Sequence, residues 1–93
     1  MRAYIDNHVP VSLGTDSPAI PYPPLWVIYH SVTRDPIGGG IFGKEQANTR
    51  KEAIHAMTTV YPYLTFEENI KGSPKSGELA DLVVLSEDAI CRC

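Results

Sequence analysis

Two short apolar runs, one near each end of the chain, constrain its fold more than any other feature. Residues 9–14 read V-P-V-S-L-G and residues 79–85 read L-A-D-L-V-V-L, and both have the length and β-branched content of strands. A continuous apolar strand is typical of a position that is covered on both faces and paired at both edges. The sequence therefore predicts two strands that need neighbours, in a chain of 93 residues that is long enough for only one small domain.

Two helices are predicted between these runs. Pro23 and Pro24 precede the apolar residues 25–32, and proline suits the first turn of a helix, although periodicity alone leaves a helix and a strand both open there. Thr49 and Glu52 have the spacing of a capping box, in which each side chain accepts from the other residue's backbone N–H. Apolar residues then recur on one helical face, at positions 53, 54, 57, 60 and 61.

Charge and hydropathy exclude several classes of partner. The net charge is −3, the pI is about 5.5 and there is no basic stripe, so nucleic acid is not expected as a partner. No apolar run approaches the roughly 20 residues that span a bilayer. Asp6 stands where a signal peptide would have its apolar core, so we expect a cytoplasmic protein. Cys91 and Cys93 enclose one residue, which favours a reducible tail over a disulfide, and a soft-metal C-x-C site is the alternative.

A glycine-rich loop resembles a phosphate-binding loop only in part. Residues 38–45 read G-G-G-I-F-G-K-E and fit the G-x-x-x-x-G-K pattern. A phosphate-binding loop needs Ser or Thr after the lysine to hold magnesium, and Glu45 places a negative charge there instead. We therefore predict a flexible glycine loop and no nucleotide site.

Asp16 is the candidate functional residue. It lies in a G-T-D-S-P turn directly after the first apolar run, and side chains at the end of a buried strand often face the cleft of a barrel enzyme. The alternative is an Asx-turn, in which the carboxylate accepts a backbone N–H two residues further on. The residues alone leave both open. His8, His30 and His55 share no metal-binding spacing and are interpreted as structural.

Four segments, in order, resemble the C-terminal part of the amidohydrolase superfamily. Residues 11–18, V-S-L-G-T-D-S-P, resemble the last barrel strand, whose GSD- or GTD-type turn carries an aspartate metal ligand. Residues 25–34 resemble the helix that follows in the amidohydrolase-3, N-substituted formamide deformylase-like group. Residues 49–57 resemble its T-x-x-E-A helix, and residues 71–85 its closing K-G-S…L-A-D-L-V-V-L segment. P-K-S at residues 74–76 stands where the family usually has I-E-P, and Glu78 stands where it has Lys; the proline has no N–H to donate to strand pairing there.

The resemblance implies an α/β fold. Residues 1–66 would hold the last strand and helices of a (β/α)8 metal-dependent hydrolase barrel. Residues 67–93 would hold strands of the small C-terminal β-sandwich and a tail.

The resemblance also implies a function. The chain would be the C-terminal portion of a metal-dependent amidohydrolase that hydrolyses a non-peptide C–N bond of an amide or formamide. Asp16 would be both catalytic residue and metal ligand in the full-length protein, binding a divalent ion, zinc first, and taking the proton of the activated water.

The family's other metal ligands belong to earlier strands that this sequence lacks. We therefore expect no metal and no activity for the chain alone, and either a homo-oligomer or an association with the remainder of the enzyme. The alternative is a non-enzymatic small protein, derived from such an enzyme, that acts through self-association or a protein partner.

Overall fold

The computed structural model describes residues 1–19, 23–36 and 38–91. Within these ranges the chain forms four short α-helices and one 3-10 helix, and none of the helices is long and apolar enough to cross a membrane. The helices are α1 (Arg2–Asp6), α2 (Pro24–Thr33), the 3-10 helix (Lys44–Gln46), α3 (Arg50–Met57) and α4 (Val60–Leu64).

The α/β fold predicted from the sequence is wrong, because the described residues contain no β-strand. Neither the barrel strand at residues 9–14 nor the β-sandwich strand at residues 79–85 forms. A strand exists only when a second backbone lies alongside it, and here each run makes only isolated hydrogen bonds. The amides of Val9 and Leu13 donate to carbonyls of helical residues, and the amide of Leu79 donates to Ile70 O at 2.7 Å. The sequence pattern correctly indicated two apolar segments. The neighbouring strands with which they were expected to pair are absent from the described part of the chain.

The core lies where α2 packs on α3, and it is small. The buried apolar side chains of the described residues are Val27, Ala53 and Ala56, joined by the buried Pro62 of α4. Beside them, the buried Asn48 donates through Nδ2 to Ser31 Oγ at 2.6 Å and through its backbone N–H to Ser31 O at 3.0 Å. Two of the three apolar core residues are alanines, so hydrophobic burial contributes little stability per residue.

Both helix starts follow local signals in the sequence. α2 begins at Pro24, which confirms that the paired prolines open a helix and not a strand. The capping box of α3 is also confirmed: Glu52 N donates to Thr49 Oγ1 at 3.2 Å, and Thr49 N donates to Glu52 Oε2 at 2.8 Å. These starts depend on residues close in sequence, which is why they were predictable.

Glu52 also ties α3 to α1. The Arg2 guanidinium donates Nη1 to Glu52 Oε2 at 2.7 Å and Nη2 to Glu52 Oε1 at 2.6 Å, a bidentate pair across 50 residues. Arg2 Nε donates to Asp6 Oδ1 at 3.0 Å on the same helix. The bonds from Arg2, reinforced by the Thr49 amide, lower the pKa of Glu52 to about 2. The stability of the folded chain is therefore coupled to the ionisation of Glu52.

The turn at residues 73–78 contains the P-K-S stretch that differs from the family pattern. Glu78 Oε2 accepts from Ser73 N at 3.1 Å and from Ser73 Oγ at 2.7 Å. Gly77 has φ +94 and Gly72 has φ +107, a backbone region that favours glycine. Gly72 also lies against α4, because a Cβ built on it would meet Pro62 Cγ at 2.7 Å. The stretch that departs from the family pattern therefore lies within a closed turn, and Gly72, just before this turn, lies against Pro62 of α4.

The chain exposes more surface than its size requires. Its accessible surface is 7074 Å², whereas a folded monomer of this mass exposes about 5,300 Å². Its radius of gyration is 14.0 Å, against about 12 Å for a typical domain of this length. Large apolar side chains account for part of the difference, including Phe66 at 91% and Val84 at 96% exposed. The described helices therefore leave much apolar surface uncovered.

We predict that Glu52→Gln removes an acid-dependent part of the stability. A carboxylate whose pKa is lowered on folding contributes stability that is complete above its unfolded pKa and is lost as pH falls through the folded value. Circular dichroism during thermal unfolding should therefore show that the stability of the wild type decreases between about pH 5 and about pH 2. In Glu52→Gln this decrease should be smaller. Glu68→Gln, at an exposed glutamate outside this network, is the control. If Glu52→Gln and the wild type have the same dependence of stability on pH, Glu52 is not the source of the acid-dependent stability.

We predict that Thr49→Ala lowers the free energy of unfolding by about 1 kcal/mol, the usual cost of losing an N-cap hydroxyl. Urea unfolding at neutral pH measures the change, and Thr58→Ala, at a hydroxyl at the opposite end of α3, is the comparison. An unchanged midpoint for Thr49→Ala would mean that the cap adds nothing to stability.

We predict that Gly72→Ala destabilises the chain more than Gly77→Ala does. Both place a side chain at positive φ, a strain of order 1–3 kcal/mol, but a Cβ at Gly77 meets nothing within 4 Å. The difference between the two urea midpoints therefore isolates the clash with Pro62. Equal midpoints would show that residue 72 does not rest on α4.

Candidate functional site

Asp16 lies in a tight turn that is attached to α3 through the preceding residues. Leu13 N donates to Ala56 O at the C-terminal end of α3 at 3.3 Å. Asp16 itself has φ +48, and its carbonyl accepts from Ala19 N at 3.0 Å, which closes a turn containing a cis Ser17–Pro18 bond. The turn predicted from G-T-D-S-P is confirmed, although no strand leads into it.

The carboxylate of Asp16 faces solvent. The residue is exposed, and no hydrogen bond joins its side chain to another described residue. Within that part of the chain the Asx-turn alternative is therefore not realised, since the backbone carbonyl closes the turn instead. Asp16 carries an acid group that is available to a second component.

His30 is a structural histidine, as its apolar surroundings indicated. Its Nδ1 contacts the backbone carbonyl of Asp35, and its ring stacks on Trp26 with centroids 5.5 Å apart and planes 24° apart. Its Nε2 is buried and has no partner among the described residues. Tyr29 Oη donates to Asp35 Oδ2 at 2.9 Å, and this bond raises the pKa of Tyr29. The cluster holds residue 35 against the end of α2.

His8 and His55 share a cavity that sequence spacing did not reveal. The cavity has a volume of about 500 Å³ and lies between residues 8–11, α3 and α4. Val9, Val11 and other apolar side chains form most of its wall, and Glu52 and Glu68 add two carboxylates. The two histidines are 47 positions apart, so only the folded contact of residues 8–11 with α3 brings them to one cavity. Asp16 does not line this cavity.

The described residues do not fit a resident metal ion. They include no group of three or more His, Cys, Asp or Glu side chains that could hold one. A catalytic zinc takes three protein ligands and keeps a fourth position for water. Asp16 alone does not meet this requirement. Cys93 lies outside the described residues, and so does the C-x-C alternative that it would form with Cys91.

The glycine loop closes on the end of α2. Phe42 N donates to Arg34 O at 3.2 Å, and Arg34 Nε donates to Phe42 O at 3.1 Å. The helix that follows Gly43 is a 3-10 helix of three residues, Lys44–Gln46. A phosphate-binding loop opens a longer helix whose amides cradle the anion. The loop therefore connects α2 to α3 and carries no helix suited to phosphate.

The sequence model of the Amidohydrolase family matches residues 1–92, and the chain belongs to this family. It is 29% identical over 90 residues to the N-substituted formamide deformylase of Arthrobacter pascens, an alignment that covers 97% of this chain. The chain spans only 17% of the length of that curated relative. No solved structure matches the chain significantly. These matches confirm the family resemblance.

We predict that the 93-residue chain has no stoichiometric zinc site at Asp16. One exposed carboxylate binds zinc weakly because it supplies one ligand where three are needed. Isothermal titration should be done in a Cys91→Ser, Cys93→Ser background, which removes the thiolates. A micromolar site that disappears in Asp16→Ala would contradict the prediction, and Asp81→Ala is the matched control at another exposed aspartate.

Proposed function

We propose that this chain is the Asp16-bearing C-terminal segment of an amidohydrolase that hydrolyses a non-peptide C–N bond of an amide or formamide. The observation that carries the proposal is the family match over residues 1–92. It is supported by the G-T-D-S-P turn, which holds an exposed acid group at the surface. The relative's name supplies the substrate class, because that protein acts on N-substituted formamides.

In this proposal Asp16 is the group that the segment contributes to the reaction. Its carboxylate is exposed and makes no hydrogen bond within the described residues, so it is free to accept a proton from a reacting group. Hydrolysis also needs a positioned nucleophile and a group that stabilises the developing oxyanion. Asp16 does not line the cavity shared by His8 and His55, so that cavity supplies neither group to it.

The isolated chain is therefore inactive in this proposal, and the remaining groups come from the remainder of the enzyme. The large exposed apolar surface supports this, since such a surface is typical of a protein segment that packs against further protein. The 17% coverage of the relative leaves ample sequence to supply that partner surface.

A chimaera tests the proposal directly. The stretch of the Arthrobacter pascens protein that aligns with this chain is replaced by this chain, and formate release from an N-substituted formamide is measured. We expect the chimaera to release formate and the isolated chain to release none. Asp16→Asn in the chimaera should lower kcat/KM by about 100-fold or more, the usual loss when a proton-transfer group is removed.

Asp81→Asn is the matched control, because it makes the same change at an exposed aspartate outside the turn. It should leave formate release near that of the parent chimaera. A folded chimaera that releases no formate would contradict the proposed function. Full activity in Asp16→Asn would contradict the role of Asp16 while leaving the family function standing.

A further inference from the structure

Residues 9–14, which lead into the turn of Asp16, are hydrogen-bonded only near their two ends. Val9 N donates to Tyr4 O of α1 at 2.9 Å, and Leu13 N donates to Ala56 O of α3 at 3.3 Å. No other hydrogen bond joins residues 9–14 to the rest of the described chain. The path of this segment therefore depends on where α1 and α3 lie relative to each other.

Side-chain packing does little to hold the middle of the segment. The cavity of about 500 Å³ lies between residues 8–11, α3 and α4, and Val9, Pro10 and Val11 line it. A side chain that borders open space lacks the contacts that hold a close-packed side chain in one position. The bonds at the two ends of the segment, and the helices that accept them, therefore determine where it lies.

The ion pair of Arg2 and Glu52 joins these two helices. Arg2 Nη1 donates to Glu52 Oε2 at 2.7 Å and Arg2 Nη2 to Glu52 Oε1 at 2.6 Å. A bidentate pair of this kind fixes direction as well as distance. Gln46 Oε1 also holds α1, accepting from Met1 N at 3.2 Å and from Ala3 N at 3.3 Å. Those bonds join α1 to the 3-10 helix, whereas the ion pair joins it to α3.

These contacts form a closed ring. The chain runs from Arg2 along α1 to Leu13, whose amide bonds to Ala56 of α3. The helix then leads back from Ala56 to Glu52, which accepts from Arg2. Asp16 follows Leu13 by three positions. If the ion pair opens, Leu13 keeps its bond to α3, but α1 no longer fixes the other end of the segment.

We propose that Arg2 and Glu52 are positioning residues for Asp16, because their ion pair holds α1 against α3 and so fixes the segment that leads to Asp16. Both act through this segment and not on the substrate. The consequence for the reaction rests on the proposed function, whereas the consequence for residues 9–13 does not. A misplacement of about 1 Å in a reacting group can lower a rate by about 100-fold.

Amide hydrogen exchange in the 93-residue chain tests the ring without any enzyme activity. The exchange rate at Leu13 N is divided by the rate at Arg34 N, which donates to His30 O at the end of α2 and reports general loosening. In Arg2→Gln this ratio should rise by roughly tenfold, the factor that corresponds to one hydrogen bond to a charged group.

Thr49→Ala is the matched control, since it removes the cap hydroxyl but leaves the Thr49 amide on Glu52 and the ion pair in place. The ratio should stay near that of the wild type. In Glu52→Gln, glutamine can still accept from the Thr49 amide but carries no charge for Arg2, so the ratio should rise as in Arg2→Gln. An unchanged ratio in either variant of the pair, or an equal rise in Thr49→Ala, would overturn the proposal.

Arg2→Lys keeps the charge but not the bidentate geometry, and it decides the question if Arg2→Gln and Glu52→Gln do not fold. Its ratio should lie above that of the wild type. A wild-type ratio in Arg2→Lys would then overturn the proposal.

The chimaera with the Arthrobacter pascens protein tests the consequence for the reaction. Arg2→Gln should lower kcat by up to about 100-fold at unchanged KM, and Thr49→Ala should leave kcat near that of the parent. In the Asp16→Asn background Arg2→Gln should cause no further loss, because it acts only through Asp16.

A loss of the same size in both backgrounds would show that Arg2 does not act through Asp16, which overturns the positioning role. A parent chimaera that releases no formate would instead contradict the proposed function. The exchange ratio of Leu13 would then still decide whether the ion pair fixes residues 9–13.

Discussion

The Glu52 carboxylate joins the start of α3 to α1. One oxygen accepts from the Thr49 amide and from Arg2 Nη1, and the other accepts from Arg2 Nη2. The start of α3 and the position of α1 therefore depend on the same ionised group. Charge-assisted bidentate bonds are strong for polar contacts, and the apolar core of the described residues is small and mainly alanine.

Features that depend on residues close together in the sequence could be predicted, and features that depend on residues far apart could not. The capping box of Thr49 and Glu52 and the start of α2 at Pro24 are local, and both were read correctly from a few residues. The bridge from Arg2 to Glu52 spans 50 positions and has no sequence signal. The cavity shared by His8 and His55 was missed for the same reason, since spacing along the chain does not report a contact between a loop and a helix.

The two strand predictions were wrong for a different physical reason. Apolar, β-branched composition shows that a segment gains from being covered, but not which backbone will cover it. Residues 9–14 and 79–85 have that composition, and in the described chain neither has a ladder partner. The family resemblance rested on the same residues and was correct. The side chains of a segment are enough to show its family, whereas a β-strand forms only if another strand pairs with it.

At the candidate site, too, the local structure could be predicted from the sequence and its position relative to the helices could not. The G-T-D-S-P motif predicted the turn at Asp16, and the turn forms because it is closed by a local bond from Ala19 N to Asp16 O. The position of that turn relative to the helices depends on two backbone bonds, from Val9 N to Tyr4 O and from Leu13 N to Ala56 O. A proton-transfer group must be held in a fixed geometry to act. We therefore propose that the component that completes the active site also holds residues 9–14, so that its binding and the alignment of Asp16 are a single event.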